Sequence, residues 1–400
     1  MAHWAMIFAV AVNLALLFFF KYYGCFLELV NSVTSVELTY RELALPVGIS
    51  FYTFQGISYV VDVYRGKAKA QRSLLNFALY IALFPQLIAG PIVRYEDIEP
   101  QLAQRKVSAR KLGQGAMLFL IGLAKKAVLA DTFKTVFEEI SAISASNLSV
   151  PMAWIGCITY AFEIYYDFSG YSDMAIGLSR MFGFELKKNF DHPYVSRSVT
   201  EFWRRWHISL SSFFRDYVYI PLGGSRGGDL LTVRNMLIVW ALTGIWHGAS
   251  WNYILWGLYF FVFLVLERFV LKKVLERLPR AVGWIYAMLV VYFGWVLFKF
   301  ENMAELGNVL AGMFGFGHMA GNLSTLYTLL NNIFLLIISI IAVFPIGKNL
   351  RMAAYRYENK RKKVPTLLYY LDAVTPVILI LLSLLALVGD SYNPFLYFQF

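Results

Sequence analysis

Charge is scarce in this sequence. Asp, Glu, Lys and Arg make up 15% of its 400 residues and hydrophobic side chains 59%, against about a quarter charged and half apolar in soluble domains. That balance excludes an ordinary water-soluble domain and places the chain in a bilayer. Cysteine is nearly absent: Cys25 and Cys157 both sit in or beside apolar segments, and their spacing frames neither a metal site nor a disulfide-rich domain. Also missing are an internal repeat, a low-complexity linker and any stretch that would hold a soluble domain, which leaves one integral domain, 1–400. No set of carboxylates or thiolates accompanies the histidines, so no metal and no bound cofactor is implied. The net charge of +11 falls between apolar runs, as expected of cytoplasmic loops facing anionic lipid. Without a recognition motif it does not point to nucleic acid.

What the chain does have is apolar length. Segments near 5–23, 43–61, 74–93, 113–130, 151–166, 236–266, 282–300, 325–346 and 366–389 approach a bilayer's requirement, which predicts an all-α, multipass protein of about nine to eleven spanning or re-entrant helices. The first stretch is followed by Lys21 and Tyr22 with no small-residue cleavage pattern, so it reads as a span rather than a secretory signal. Basic clusters mark candidate cytoplasmic loops: Arg65–Arg72, Arg94–Lys111, Arg268–Arg280 and Lys348–Lys363. Only one apolar run, Leu74–Val93, separates the first two. The run is therefore expected to dip in and return, or one cluster breaks the positive-inside pattern; Pro85, Gly90 and Pro91 at its centre suit a re-entrant turn.

Two histidines stand out, forty residues apart. His207 lies in FWRRWHISLSSFFRDYVYIPLGG and His247 in ALTGIWHGASWNYILWG, within a run of 31 residues, Met236–Leu266, that lacks charged side chains. A continuous helix of that length would measure about 46 Å, beyond a hydrocarbon core of about 30 Å. Gly244, Gly248 and Ser250 near its middle predict two short helices meeting at HGAS. His247 then sits at a break inside the membrane and faces a cavity also reached by His207, with Trp246, Trp251 and Trp256 packed around it. An imidazole at that depth is a functional candidate by default.

Other polar groups have plainer readings. Glu163, Asp167 and Asp173 would each cost roughly 2.5–3.5 kcal/mol at the centre of a lone helix, and Lys125 and Lys126 are their expected ion-pair partners. His192, before a proline, reads as a loop residue. His3 and His318 lack polar company. PLGGSRGG, 221–228, is a loop whose glycines permit positive φ; it lacks the Lys-Ser/Thr ending of a phosphate-binding P-loop.

The stretches LPVGISFYTFQGISYVVDVYRG (45–66), FPQLIAGPIVRYEDIEPQL (84–102), IYYDFSGYSDMAIGLSRMFGF (164–184), NFDHPYVSRSVTEFWRRWHISLSSFFRDYVYIPLGG (189–224), TGIWHGASWNYILWG (243–257) and NPFLYFQF (393–400) together resemble the membrane-bound O-acyltransferase (MBOAT) family, in its alginate O-acetyltransferase-like branch. Family members usually carry further apolar segments ahead of the one that opens this chain. The resemblance implies a catalytic base at His247 and a second catalytic polar residue at His207. It implies transfer of an acyl group, most simply acetyl, from a cytoplasmic thioester such as acetyl-CoA or an acyl carrier. The acceptor is a hydroxyl of an exopolysaccharide or other cell-envelope glycan, reached in the cytoplasmic membrane. Chemically, a neutral imidazole can accept the hydroxyl proton as oxygen attacks the thioester carbonyl. Trp203, Arg204, Arg205, Trp206, Arg215 and Asn252 are the candidates for binding donor or substrate, since Arg pairs with phosphate bidentately. Membrane lipid and exopolysaccharide-modification proteins are the implied partners. D-alanyl transfer to teichoic acid from a carrier protein keeps the fold and changes the substrate. A transporter or glycan flippase would also show broken helices, but no repeated pair of interrupted helices appears, and the two histidines speak against a noncatalytic scaffold.

Overall fold

The computed structural model describes residues 1–34, 38–39, 44–87, 90–143, 148–316, 321, 323–361, 366–389 and 394–395. His318, Lys362, Lys363 and all of NPFLYFQF except Pro394 and Phe395 lie outside them. Every regular element among the described residues is helical. Among the described residues, four helical stretches are long and apolar enough to cross a membrane: Ala2–Lys21, Trp251–Arg277, Arg280–Lys299 and Leu323–Val343. Shorter or more polar helices fill the space between them, and the protein is a multipass membrane protein.

The N-terminal third holds α1 (Ala2–Lys21), α2 (Tyr23–Val33) and α3 (Ile49–Tyr64), then α4 (Leu74–Ile81), the single turn α5 (Phe84–Leu87) and α6 (Tyr95–Ala103). The run Leu74–Val93, expected to be re-entrant, has its two ends brought together. Its two flanks meet at one residue: Arg65 Nη1 donates to the Asp216 carbonyl oxygen at 3.1 Å and Arg94 pairs with the Asp216 carboxylate. Both guanidinium groups also lie over the Tyr217 ring, at 5.5 and 5.3 Å. The hairpin is closed inside by Tyr80, whose hydroxyl donates to the Val93 carbonyl at 2.9 Å, and by Gln86, whose amide donates to the Tyr80 carbonyl at 2.8 Å. These fully buried bonds satisfy backbone groups that lipid could not.

Next come α7 (Ala109–Ala124), a π-helical turn (Lys125–Ala130), α8 (Asp131–Ser141) and α9 (Val150–Met181). Helices α7 and α9 touch backbone to backbone. A Cβ on Gly122 would lie 2.5 Å from the Gly170 carbonyl oxygen, and one on Gly177 2.6 Å from that of Gly115, the small-residue contact expected between membrane helices. The π turn follows directly and widens the helix where two lysines must reach α9. Lys125 pairs with Asp173 at 2.6 Å, and Lys126 reaches both Asp131 and Asp167 at 2.7 Å. The expected lysine partnership thus holds for two of the three α9 acids, with Asp131 an unforeseen third carboxylate. Glu163 lies apart from it, buried, with Oε2 lacking a hydrogen-bond partner among the described residues.

The remaining elements are α10 (Val199–Arg205), α11 (Ile208–Phe214) with a π turn (Arg215–Tyr219), α12 (Asp229–His247), α13 (Trp251–Leu266), a π turn (Glu267–Leu271), α14 (Lys272–Arg277), α15 (Arg280–Lys299), α16 (Met303–Met313), α17 (Leu323–Val343), α18 (Ile346–Arg361) and α19 (Thr366–Gly389). The largest core cluster is aromatic and lies where α9, α10, α13 and α15 converge, around Tyr166, Phe202, Trp206, Trp256, Phe260 and Trp295. PLGGSRGG forms an exposed turn with positive φ at Gly223, Gly224 and Gly228. Asn235 fastens it from α12 by donating to the Leu222 and Gly224 carbonyls at 3.2 and 2.9 Å.

Candidate active site

The uncharged run Met236–Leu266 breaks where its glycines fall. Helix α12 stops at His247, Gly248 is fully extended, and α13 starts at Trp251 after Ser250 in an extended conformation. The two helices then fold back on each other at glycines. A Cβ on Gly244 would sit 2.5 Å from the Tyr253 carbonyl oxygen, and one on Gly257 2.5 Å from that of Trp240. His247 is held, half-buried, at the end of this hairpin. Its ring meets Trp246 at 4.9 Å, Trp256 at 5.0 Å and Phe298 at 5.0 Å between centroids. Trp251 does not join them: it is the first residue of α13, on the outside of the bend, and is 70% exposed.

His207 reaches the same place from another direction. It links α10 to α11 in the left-handed conformation, φ 42°, uncommon outside glycine. Its side chain is buried, and Nδ1 lies 3.2 Å from Asn189 Oδ1. That oxygen also accepts the Ser209 backbone N–H at 3.1 Å and the Ser209 hydroxyl at 2.9 Å. A backbone N–H can only donate, so the Asn189 atom is the acceptor oxygen and His207 Nδ1 carries the proton. Nε2 is left with a lone pair and has no partner among the described residues.

Both imidazoles line one small cavity of about 60 Å³, walled by Asp167, Phe168, Trp203, Trp206, Trp246 and Trp256 among others. Trp203, His207 and Leu210 are shared with a second cavity of about 200 Å³ that extends to Arg215 and Tyr219. Arg215, Tyr219, Ser211, Met236 and Trp203 are shared in turn with a cleft of about 930 Å³ that carries Arg197, Arg204, Arg268, Lys272 and Arg280. Three spaces therefore adjoin, from a broad basic cleft to two histidines.

The six binding candidates separate. Trp203 and Trp206 wall the histidine cavity, and Arg204 and Arg215 line the basic cleft. Arg205 lines neither; it is held by Glu201 Oε1 at 2.9 Å and the Asp191 carbonyl at 3.0 Å, as a brace between α10 and the preceding loop. Asn252 is fully buried outside the cavity, where its amide donates to the Phe298 carbonyl at 2.9 Å and ties α13 to the end of α15. His192 is a loop residue, its Nδ1 2.9 Å from the Val343 carbonyl. Asn189, Ser209, Trp295 and Phe298 belong to the site without standing out in the sequence. The one signal for Asn189 is its place at the head of the stretch that ends in PLGG. Beside the cleft, burial works to raise the Asp216 carboxyl, but hydrogen bonds from Arg215 and Arg94 hold it below the ordinary carboxylate value.

The chain is similar in sequence to known proteins over most of its length. The family model of the membrane-bound O-acyltransferases matches residues 68–306. The chain is 39% identical to a probable alginate O-acetylase of Azotobacter vinelandii, over 98% of this chain and 84% of that protein. It is 36% identical to a peptidoglycan O-acetyltransferase of Helicobacter pylori, over 78% of this chain and 64% of that protein. With a teichoic acid D-alanyltransferase of Bacillus subtilis it shares 29% identity over 64% of this chain and 67% of that protein. The chain belongs to the membrane-bound O-acyltransferase family, in its alginate O-acetylase-like branch, and is an O-acyltransferase.

Proposed function

We propose that the protein moves a short acyl group, acetyl before others, from a cytoplasmic thioester to a hydroxyl of an exopolysaccharide or other cell-envelope glycan, within the cytoplasmic membrane. The observation that carries the reading is the pair of imidazoles in one small cavity adjoining a basic cleft. At about 60 Å³ the cavity has room for roughly four water-sized groups. A two-carbon acyl group fits that space. The cleft's arginines suit the phosphates of a nucleotide-bearing or pantetheine-bearing thioester, and they share the basic character that marks cytoplasmic segments. The glycan acceptor and its class come from the relatives named as acting on alginate and peptidoglycan. Exopolysaccharide-modification proteins would bring the acceptor or carry the acyl group onward.

In this reading His247 accepts the proton of the attacking hydroxyl. His207, with Nδ1–H fixed on Asn189, offers Nε2 to the same hydroxyl or to the donor and orients it. Replacing the base tests the assignment. His247→Ala should lower acyl transfer by about 10²–10⁴-fold while membrane expression and thermal stability stay near wild type. Wild-type turnover in that variant would remove His247 from the chemistry.

A further inference from the structure

We infer that the indole N–H groups of Trp246 and Trp256 form an anion-binding pair for acyl transfer, receiving the donor's carbonyl oxygen as it becomes negative. The inference rests on the acyl-transfer reading above and adds two catalytic residues to it.

An indole offers one donor and no acceptor, and a buried one ordinarily finds a partner. Elsewhere in this fold that happens: Trp154 Nε1 donates to the Met313 carbonyl at 2.8 Å, and Trp284 Nε1 to the Tyr194 carbonyl at 2.9 Å. Around the histidine cavity it does not. Trp246 and Trp256 are 5% and 1% exposed, both wall the cavity, and neither Nε1 has an acceptor among the described residues. Trp203 and Trp295 Nε1 are in the same condition, but the Trp203 ring stands against Trp256, at 5.5 Å, and the Trp295 ring against Phe298, at 5.9 Å, each one ring removed from His247. Trp246 and Trp256 lie directly against the His247 ring, turned 70° and 83° to it. They come from opposite sides of the helix break, one at the end of α12 and one in α13. Lys21 adds a positive field on the same side: its ammonium donates to the Trp246 carbonyl at 2.6 Å and lies 5.6 Å from the indole centroid. Fixed donors around a small, mostly aromatic cavity are what a developing oxyanion requires, because they need no reorganisation when charge appears.

The step balances without a further reagent. The acceptor hydroxyl oxygen bonds to the thioester carbon, its proton passes to His247, and the carbonyl π pair moves onto oxygen, which accepts the two indole N–H bonds. When that pair returns, the C–S bond breaks and the thiolate takes the proton from the imidazolium.

The test separates donor chemistry from packing. Each tryptophan is replaced by β-(3-benzothienyl)alanine, which keeps the bicyclic ring and exchanges N–H for sulfur, and in parallel by phenylalanine. Two pantetheine probes are titrated: a methyl ketone with CH₂ in place of the thioester sulfur, and a methylphosphonate carrying a tetrahedral anion at the carbonyl position. The expected result is a loss of roughly 10²-fold in phosphonate affinity, with ketone affinity little changed and kcat falling in parallel at constant KM. Equal weakening of both probes, or no weakening, overturns the inference. So does a wild-type protein that binds both probes equally, whereas one that binds neither overturns the thioester reading as well. Normal turnover in His247→Ala would displace the base, and the ratio of the two probe affinities would still decide the role of the indoles.

Discussion

Lys126 is the residue whose loss should be felt most widely. Its ammonium sits 2.7 Å from Asp131 Oδ1 and 2.7 Å from Asp167 Oδ1, and the three side chains are 9, 8 and 4% exposed. It also donates to the Pro394 carbonyl at 3.3 Å and lies 4.9 Å from the centroid of Phe395. Lys126→Met keeps the stem and removes the cation that both carboxylates share. Breaking a buried pair in this way costs about 3–5 kcal/mol, and two carboxylates are involved, so the upper end of that range is expected. Unfolding in mixed micelles measures it. Because Asp167 also walls the histidine cavity, activity should fall beyond what the lost folded fraction explains. The companion triple variant Lys126→Met, Asp131→Asn, Asp167→Asn removes charge of both signs and should recover much of the stability, since replacing a whole buried ion group is often close to neutral. A Lys126→Met protein within about 0.5 kcal/mol of wild type, the range of an ordinary surface substitution, would refute the argument.

Three other outcomes follow from named contacts. His207→Asn should retain more activity than His207→Ala. Asn189→Leu, which removes the acceptor of His207 Nδ1–H, should lower kcat more than it raises KM, while equal, normal rates in all three would make His207 a bystander. Gly122→Leu should destabilise by more than the about 1–3 kcal/mol of ordinary overpacking, because its Cβ would meet the Gly170 backbone at 2.5 Å, whereas Gly113→Leu on the same helix has nothing within 4 Å and should be tolerated; thermal unfolding in detergent decides between them. The tie between Arg94 and Asp216 should be present at neutral pH and lost on acidification: the folded carboxyl titrates below its ordinary value of about 3.9, so its contribution is complete above that pH and disappears as pH falls through the lowered value. Protection of the Leu74–Tyr80 backbone amides against hydrogen exchange, corrected for the intrinsic rate at each pH, should fall under those conditions and should already be low in Asp216→Asn.

The hairpin that carries His247 was readable because it depends on quantities a sequence displays, namely an uncharged length and the position of glycine within it. That the two basic flanks of Leu74–Val93 lie together was readable from charge sidedness. What escaped depended on rotation about single bonds. Arg204 and Arg205 are neighbours, but α10 has only seven residues, too few for a periodicity to say which one faces the cleft. Trp251 and Trp256 look alike in sequence, and the bend at Gly248 puts the first outside it and the second inside. Asn189 meets His207 across 18 residues only because His207 adopts a left-handed turn, which nothing about histidine announces. Asp131 joins the lysine group through a π turn, and apolar patterning carries no mark of one.

The meeting of Arg65 and Arg94 at Asp216 also orders events during synthesis. Arg94 leaves the ribosome 122 residues before its partner, a delay of roughly 6–24 s at 5–20 residues per second. Through that interval the apolar segment has basic residues at both ends and lacks the Asp216 anchor for either. The closed hairpin then depends on the Tyr80 and Gln86 bonds inside it until the acidic clamp arrives. Mutations at Asp216 would then show themselves first as errors of membrane topology in newly made chains, before any effect on the mature protein.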